Sequence, residues 1–283
     1  MKKYIGIDLG GTKIEAIRFN GKKVEATCRV ATKSEAGYKQ VLANIVTAAA
    51  SVRTPDVCAV GLAIPGIVHI DRIIGSGVLG SILNGKKVAG DLSKILKLPV
   101  VMQNDAKLFA LAEWQIGAAK GKRHVVGLII GTGVGAGIII DGNLLHGAVG
   151  AAGEVGEAPY RESTYEHYVA GPAYYSMYHE AGGKENNIST KEIMTRPRPD
   201  KAISAAREQT LDATAHLLAT IISAYNPEVI VIGGGVSLSL DIKRLKERTK
   251  QYTFPALFRS CKIVRHKISD SAGAIGAAML AHE

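Results

Sequence analysis

The amino-acid sequence predicts an α/β protein of two related halves, and three observations lead there. Strand-like apolar runs alternate with amphipathic helical stretches along the chain, the pattern of layered sheets covered by helices. A strand–turn–strand unit opens the chain, Tyr4 to Ile17, around a turn carrying Asp8, Gly10, Gly11 and Thr12. A second unit of the same kind, Gly127 to Gly142 around Gly131-Thr132-Gly133, follows about half a chain later.

Strands are expected near 3–8, 13–19 and 23–31. A helix is expected at 37–52, where Tyr38, Val41, Leu42, Ile45, Val46 and Ala49 fall on one stripe. Val57 to Ile64 reads as a buried strand ended by Pro65-Gly66. Val88 to Leu96 reads as a helix that Pro99 stops before the strand Val100 to Gln103. Asn104-Asp105 opens a helix to about Ala119, since Asn and Asp are favoured caps. The second half repeats the scheme: strands near 124–130 and 135–141, a polar loop over 142–163, and helices at 165–182 and 200–225. Glu228 to Ile232 is a buried strand entering Gly233-Gly234-Gly235, and an Ala/Gly-rich helix from Ala272 to Ala281 is suited to close packing. Residues 183–199 are the most loop-like. The domain boundary is expected near 115–122, with the last helix returning to the first domain: 1–117 plus 271–283, then 118–270.

The 283 residues suffice for two domains of ordinary size, and 47% hydrophobic with 21% charged residues is a globular balance. The net charge of +10 is spread, with modest clusters at Lys120-Gly121-Lys122-Arg123 and Lys243-Arg244-Leu245-Lys246. Neither cluster is interleaved with aromatics. This reads as a solvated basic surface that attracts anionic substrates, and no nucleic-acid partner is expected. Cys28, Cys58 and Cys261 are far apart and form no C-x-x-C pair, which points away from a disulfide framework or zinc cluster. The chain starts directly in a strand and no apolar run approaches a membrane span, so a cytoplasmic protein with no membrane partner is expected.

Four segments can carry chemistry, and each has a plainer reading. The Asp8 turn can cradle phosphates on bare backbone, with Asp8 holding a divalent cation, or it can be a simple hairpin turn. Asp105, at a strand end, can take a proton from a substrate hydroxyl while Asn104 binds a neighbouring one, or it can merely cap its helix. Glu154, Glu157 and Glu166 can read the hydroxyls of a polyol, or they can be a solvated acidic loop. Gly233, Gly234 and Gly235 can let an adenine or ribose lie against the backbone, or they can form a strand-end turn.

In this order the motifs resemble the ROK family (repressors, open reading frames, kinases) of the actin-like sugar-kinase superfamily. The likeness spans nearly the whole chain. Asp8-Leu9-Gly10-Gly11-Thr12-Lys13 and Gly131-Thr132-Gly133-Val134-Gly135-Ala136-Gly137 look like its phosphate motifs. Asn104-Asp105-Ala106 is similar to its catalytic Asn-Asp-Ala, and Gly153-Glu154-Val155-Gly156 to its sugar-binding Gly-Glu-x-Gly. Asn226-Pro227-Glu228 to Gly235 resembles its adenosine segment. The resemblance implies two actin-like (ribonuclease-H-like) domains with a cleft between them and ATP-dependent phosphorylation of a hexose. Asp105 would be the general base towards the sugar 6-hydroxyl. Gly66, Asn104, Asp105, Glu154, Glu157 and Glu166 would bind substrate. ATP would lie on Asp8, Gly10, Gly11, Thr12, Lys13, Gly131, Thr132, Gly133 and Gly233 to Gly235, with Mg²⁺ at Asp8. A homodimer is implied as well.

Two features depart from the family pattern. Glu157 stands where the family usually has His, and Ala158 to Tyr165 lacks the family's cysteine-rich zinc motif, so no structural zinc is expected. The choice of hexose therefore stays open among glucose, fructose, an N-acetylhexosamine and rarer hexoses. Polyphosphate as donor and a non-catalytic sugar sensor are the alternatives within the family. A DNA-binding repressor would need a helix-turn-helix ahead of Gly6, and a scaffold or filament protein would have no use for Asn104-Asp105 with Glu154 and Glu166.

Overall fold

The structure is a computed structural model that describes residues 2–77, 79–268 and 271–282. The chain forms two compact units. The first comprises Met1–Lys120, Leu144–Ala152 and Lys267–Glu283, and the second Gly121–Asn143 and Gly153–His266. The sequence predicts a second domain unbroken from 118 to 270. In the structure Leu144–Ala152 belongs to the first unit.

In the first unit β1 (Lys3–Leu9), β2 (Lys13–Phe19) and β3 (Val24–Ala31) form an antiparallel meander. After α1 (Tyr38–Val52), β4 (Val57–Ile64) joins β1 in parallel. The chain then makes a hairpin, β5 (Ile67–His69) and β6 (Arg72–Gly75), and two helices, α2 (Gly80–Leu83) and α3 (Val88–Leu96). Next come β7 (Val100–Asn104), parallel to β4, and α4 (Asp105–Gln115). The sheet order is β3-β2-β1-β4-β7. Alternate strand residues face opposite sides, so Ile5, Ile7, Leu62 and Ile64 pack on Val41 and Ile45 of α1, while Tyr4, Ile17 and Ala63 pack on Leu108 of α4.

The second unit repeats this connectivity. β8 (Val125–Ile130), β9 (Val134–Ile140) and β10 (Asn143–Leu144) lead into β11 (Pro159–Tyr160) and β12 (Ser163–Thr164), a separate two-stranded ribbon. Helices α5 (Tyr165–Val169), α6 (Gly171–Glu180), α7 (Thr190–Thr195) and α8 (Lys201–Tyr225) follow. The unit then runs through β13 (Val229–Gly233), α9 (Ile242–Tyr252), α10 (Pro255–Ser260) and β14 (Lys262–Arg265). The order β10-β9-β8-β13-β14, with β8–β9 antiparallel and β13 parallel to both β8 and β14, matches the first sheet.

The last helix, α11 (Ala272–Leu280), belongs to the first unit. It lies in backbone contact with the sheet. A β-carbon at Gly6 would sit 1.9 Å from Ala274 O, one at Gly61 1.7 Å from Ala277 O, and one at Gly276 2.0 Å from Leu108 O. The small residues of this segment do permit the close packing expected of them.

The expected helix 165–182 is broken at Ala170, which is extended. Pro172 has no N–H to give and restricts the residues before it, and Gly171 instead donates its N–H to Gly131 O at 2.7 Å. The helix from Asp105 ends at Gln115 rather than near 119. Within the loop-like 183–199, Ser189 and Glu192 form a reciprocal capping box that starts α7. Among the described residues, no helix is long and apolar enough to cross a membrane.

Candidate active site

Three chain segments meet at the carboxyl ends of the parallel strands β1, β4 and β7, where open α/β sheets gather ligands. Asp8 is paired with Ala63 near the end of β1, Ile64 with Asn104 at the end of β7, and Gly66 follows β4 directly. The Asn104 side-chain nitrogen donates to Gly66 O at 3.1 Å, joining two of these ends. Gly66 has φ 111, and a β-carbon there would lie 2.2 Å from Gly75 O, so glycine is required.

Asn104 caps α4, its Oδ1 accepting the N–H of Lys107 at 3.1 Å. The capping role considered for Asp105 thus belongs to its neighbour. Asp105 Oδ1 accepts the N–H of Ala106 at 2.9 Å. Burial pushes the Asp105 carboxyl up to about 6, against the lowering effect of the backbone bonds from Ala106 and from Asp105 itself. Asp8 is pushed up further, to about 7, by burial first and then by the charges of Asp105 and Glu15, with Lys13 opposing. Gly273, in the first turn of α11, makes room for it: a β-carbon there would come within 2.8 Å of Asp8 Oδ2.

The turn after β1 is closed by Gly10 N–H donating to Lys13 O, and Thr32 Oγ1 donates to Gly10 O at 2.7 Å. Thr12 and Lys13 are exposed. In the second unit Thr132 is likewise exposed, and a β-carbon at Gly131 would meet no protein atom within 4 Å. Neither Gly10 nor Gly131 has a positive φ. Turn geometry therefore does not explain glycine at Gly131, which leaves bare backbone available to an anion.

Glu166, in α5, reaches this second turn. Its Oε2 accepts the N–H of Val134 at 2.7 Å, and a β-carbon at Gly133 would lie 2.7 Å from the same oxygen. The Gly153-Glu154-Val155-Gly156 segment docks on the same strand. β-Carbons at Gly153 and Gly156 would strike Ala136 O (1.9 Å) and Val134 O (2.4 Å). Glu154 and Glu166 are thus both carried against the start of β9, whereas Glu157 is exposed on the short turn that follows. At the end of β13, Gly234 abuts Ile130 O at 2.3 Å for its would-be β-carbon, while Gly235 has open space. Glu228 serves the fold. Its carboxylate accepts from Arg123 N, His124 N and Lys122 Nζ, which hold it down at about 2.

The signature of ROK family proteins matches residues 4–283. The chain belongs to the ROK family. An N-acetyl-D-glucosamine kinase of Mannheimia succiniciproducens is 33% identical, covering 97% of this chain and 98% of that one. An N-acetylgalactosamine kinase of Shewanella sp. strain ANA-3 is 30% identical over 99% and 96%. The crystal structure of a ROK family glucokinase from Streptomyces griseus, in complex with glucose and AMPPNP, superposes with a TM-score of 0.85 at 25% identity over 99% of both chains. This chain is a sugar kinase of that family, with the actin-like ROK fold.

Three buried polar residues of this ROK kinase escaped sequence reasoning. Glu113 is fully buried and accepts the N–H groups of Ala118, Lys267 and Ile268, tying the end of α4 to the returning chain. Gln103 and Lys107 reach the Leu144–Ala152 segment. In sequence Glu113 reads as an ordinary helical carboxylate, and Lys107 as a solvated lysine. The one available hint is that each lies among apolar residues on all sides of α4. Mg²⁺ bound with a nucleotide takes one or two carboxylates and otherwise phosphate and water oxygens. Asp8 fits this, since a cation would offset the repulsion it feels from Asp105 and Glu15. Among the described residues, no cluster of three or more His, Cys, Asp or Glu suits a metal.

Proposed function

We propose that this kinase moves the γ-phosphoryl group of ATP to a hydroxyl of a hexose or 2-acetamido hexose, with Asp105 as the general base. The observation that carries this reading is the state of Asp105. It stands at the strand ends beside Gly66 and Asn104, is relieved of capping by Asn104, and is raised to about 6 by burial. A base poised near the working pH is the most effective kind.

The Asp105 carboxylate accepts the hydroxyl proton as the sugar oxygen bonds to the γ-phosphorus and the bond to the ADP oxygen breaks; the proton stays on Asp105. Phosphoryl transfer needs positioning and charge neutralisation more than covalent help from the protein. Gly66, Asn104, Glu154, Glu157 and Glu166 are assigned to the sugar. Glu166 has a second duty: by accepting from Val134 N–H it shapes the turn assigned to the phosphates. Gly10, Gly11, Thr12 and Lys13 with Gly131, Thr132 and Gly133 are assigned to the phosphates, and Gly233 to Gly235 to the adenosine. Mg²⁺, held by Asp8 when bound with ATP, would supply neutralisation of phosphate charge. The amino-sugar kinases among its relatives support an N-acetylhexosamine as acceptor, and a homodimer is part of the same reading.

The test is coupled ADP release with glucose, N-acetylglucosamine, N-acetylgalactosamine and N-acetylmannosamine, with light scattering for the oligomer. A saturable response to at least one sugar is expected. No response to any of them, nor to fructose or mannose, would refute the reading.

A further inference from the structure

A hydrogen-bonded set beside Asn104 is left unused by the reaction as described. Gln103 is buried, and its Oε1 accepts the backbone N–H of Asn104 at 2.7 Å. That bond fixes the orientation of the amide, so its nitrogen is the end facing His146 Nδ1 at 3.2 Å. An amide nitrogen only donates. Nδ1 must therefore accept, and a neutral His146 carries its proton on Nε2. Lys107, 1% exposed, donates to Gly150 O at 2.6 Å and to His146 O at 3.2 Å, gripping the loop at two points. Gly150 itself rests on β5, where a β-carbon would lie 2.0 Å from Val68 O. Partial desolvation where the ring packs on its neighbours, and then the charge of Lys107, hold His146 below its ordinary value, which favours the neutral ring.

The residue so arranged is exposed. A surface histidine with no task gains nothing from a buried glutamine that selects its tautomer and a buried lysine that anchors its backbone. Burying a lysine ammonium is costly unless it is well bonded, and here two of its bonds go to this loop.

We infer that His146 is a specificity-determining sugar contact whose Nε2–H donates to an acceptor oxygen of the bound sugar, and that Gln103 and Lys107 are positioning residues that set its tautomer and its place. This rests on the sugar-kinase reading above, and deepens it. Asn104, which Gln103 also orients, is the residue that links this set to Gly66 and to the helix of Asp105.

The test uses the full chain and two readouts. Ring ¹⁵N shifts of His146, assigned by their loss in His146→Leu, report the tautomer. The neutral Nε2–H form is expected in the wild type. Gln103→Glu still accepts from Asn104 N–H but presents an acceptor to Nδ1, so the ring moves to the Nδ1–H or doubly protonated form. In kinetics, His146→Leu raises the sugar KM by roughly 3- to 10-fold, the loss of about one neutral hydrogen bond, with a smaller change in kcat and the ATP KM as reference. His146→Gln, which can donate from its amide, recovers most of that loss. Lys107→Met gives the same KM-weighted loss. A wild-type Nδ1–H tautomer, or an unchanged sugar KM in His146→Leu, overturns the inference while the functional reading stands. A wild type that turns over no sugar overturns both, because the contact would then have no substrate.

Discussion

Replacing Asp8 with Asn should stabilise the protein while impairing it, and the pH dependence of that gain is calculable. The Asp8 carboxyl rises from 3.8 to about 7 on folding, through burial and the charges of Asp105 and Glu15. The folded form therefore holds the proton more tightly than the unfolded form. The sign follows: Asp8 costs the fold nothing below its unfolded value, and the cost grows as pH rises until it is complete above about 7. A shift of about three pH units corresponds to roughly 4 kcal/mol at 1.36 kcal/mol per unit. Asp8 keeps some solvent contact, so a smaller penalty is expected. On these figures, the gain from Asp8→Asn grows by roughly 1–3 kcal/mol between pH 5 and pH 8. Asn keeps the shape that Gly273 accommodates, so packing is preserved. Trp114 is the chain's single tryptophan and lies on α4 in the first unit. Its fluorescence during urea unfolding reports the unit that carries Asp8. Measurements of wild type and variant at pH 5 and 8 give the two differences directly. A variant less stable than the wild type at pH 8, or a gain equal at both pH values, would refute the reasoning.

Other consequences are equally direct. The sugar kcat/KM should fall on acidification below about pH 6, roughly tenfold per unit, because Asp105 is then protonated and cannot accept a proton; a profile flat down to pH 5 would contradict this. Gly131→Ala adds a β-carbon that meets no protein atom, so stability should change by less than about 0.5 kcal/mol while the ATP KM rises severalfold. Gly61→Ala places its β-carbon 1.7 Å from Ala277 O, so it should displace α11 and cost about 3 kcal/mol or more in thermal and urea unfolding. Glu113→Ala removes a fully buried carboxylate and leaves the part-buried N–H groups of Ala118, Lys267 and Ile268 without their acceptor, and a loss of about 2–4 kcal/mol is expected in urea unfolding.

Where local chemistry repeats a strong pattern, the fold was readable. The β1–β2 and β8–β9 hairpins, the amphipathic α1 and the Ala/Gly-rich α11 all announce themselves by period, turn residues or composition. The helix α9 does not, because only Leu245 and Thr249 are fully buried along it and most of its remaining residues are charged. The split between α5 and α6 was signalled by Gly171-Pro172 but needed the bond to Gly131 O to become a definite break. At the site, the order of motifs carries the candidate residues, yet the sequence does not separate function from support. Glu228 lies inside a nucleotide-like segment and serves to hold backbone N–H groups. Asn104 and Asp105 are adjacent candidates for one cap, and only the geometry assigns that role to Asn104. Lys107 and Glu113 are invisible in sequence because their partners are carbonyls and N–H groups more than thirty positions away, or across a turn.

The role of Asp105 is tested most directly by Asp105→Asn, measured as sugar-dependent ADP release alongside sugar affinity by calorimetry. Loss of the base predicts a kcat lower by about 10²- to 10⁴-fold, with sugar affinity changed far less, because Asn keeps the carboxamide oxygen that can accept from Ala106. A variant that retains wild-type kcat would contradict the account.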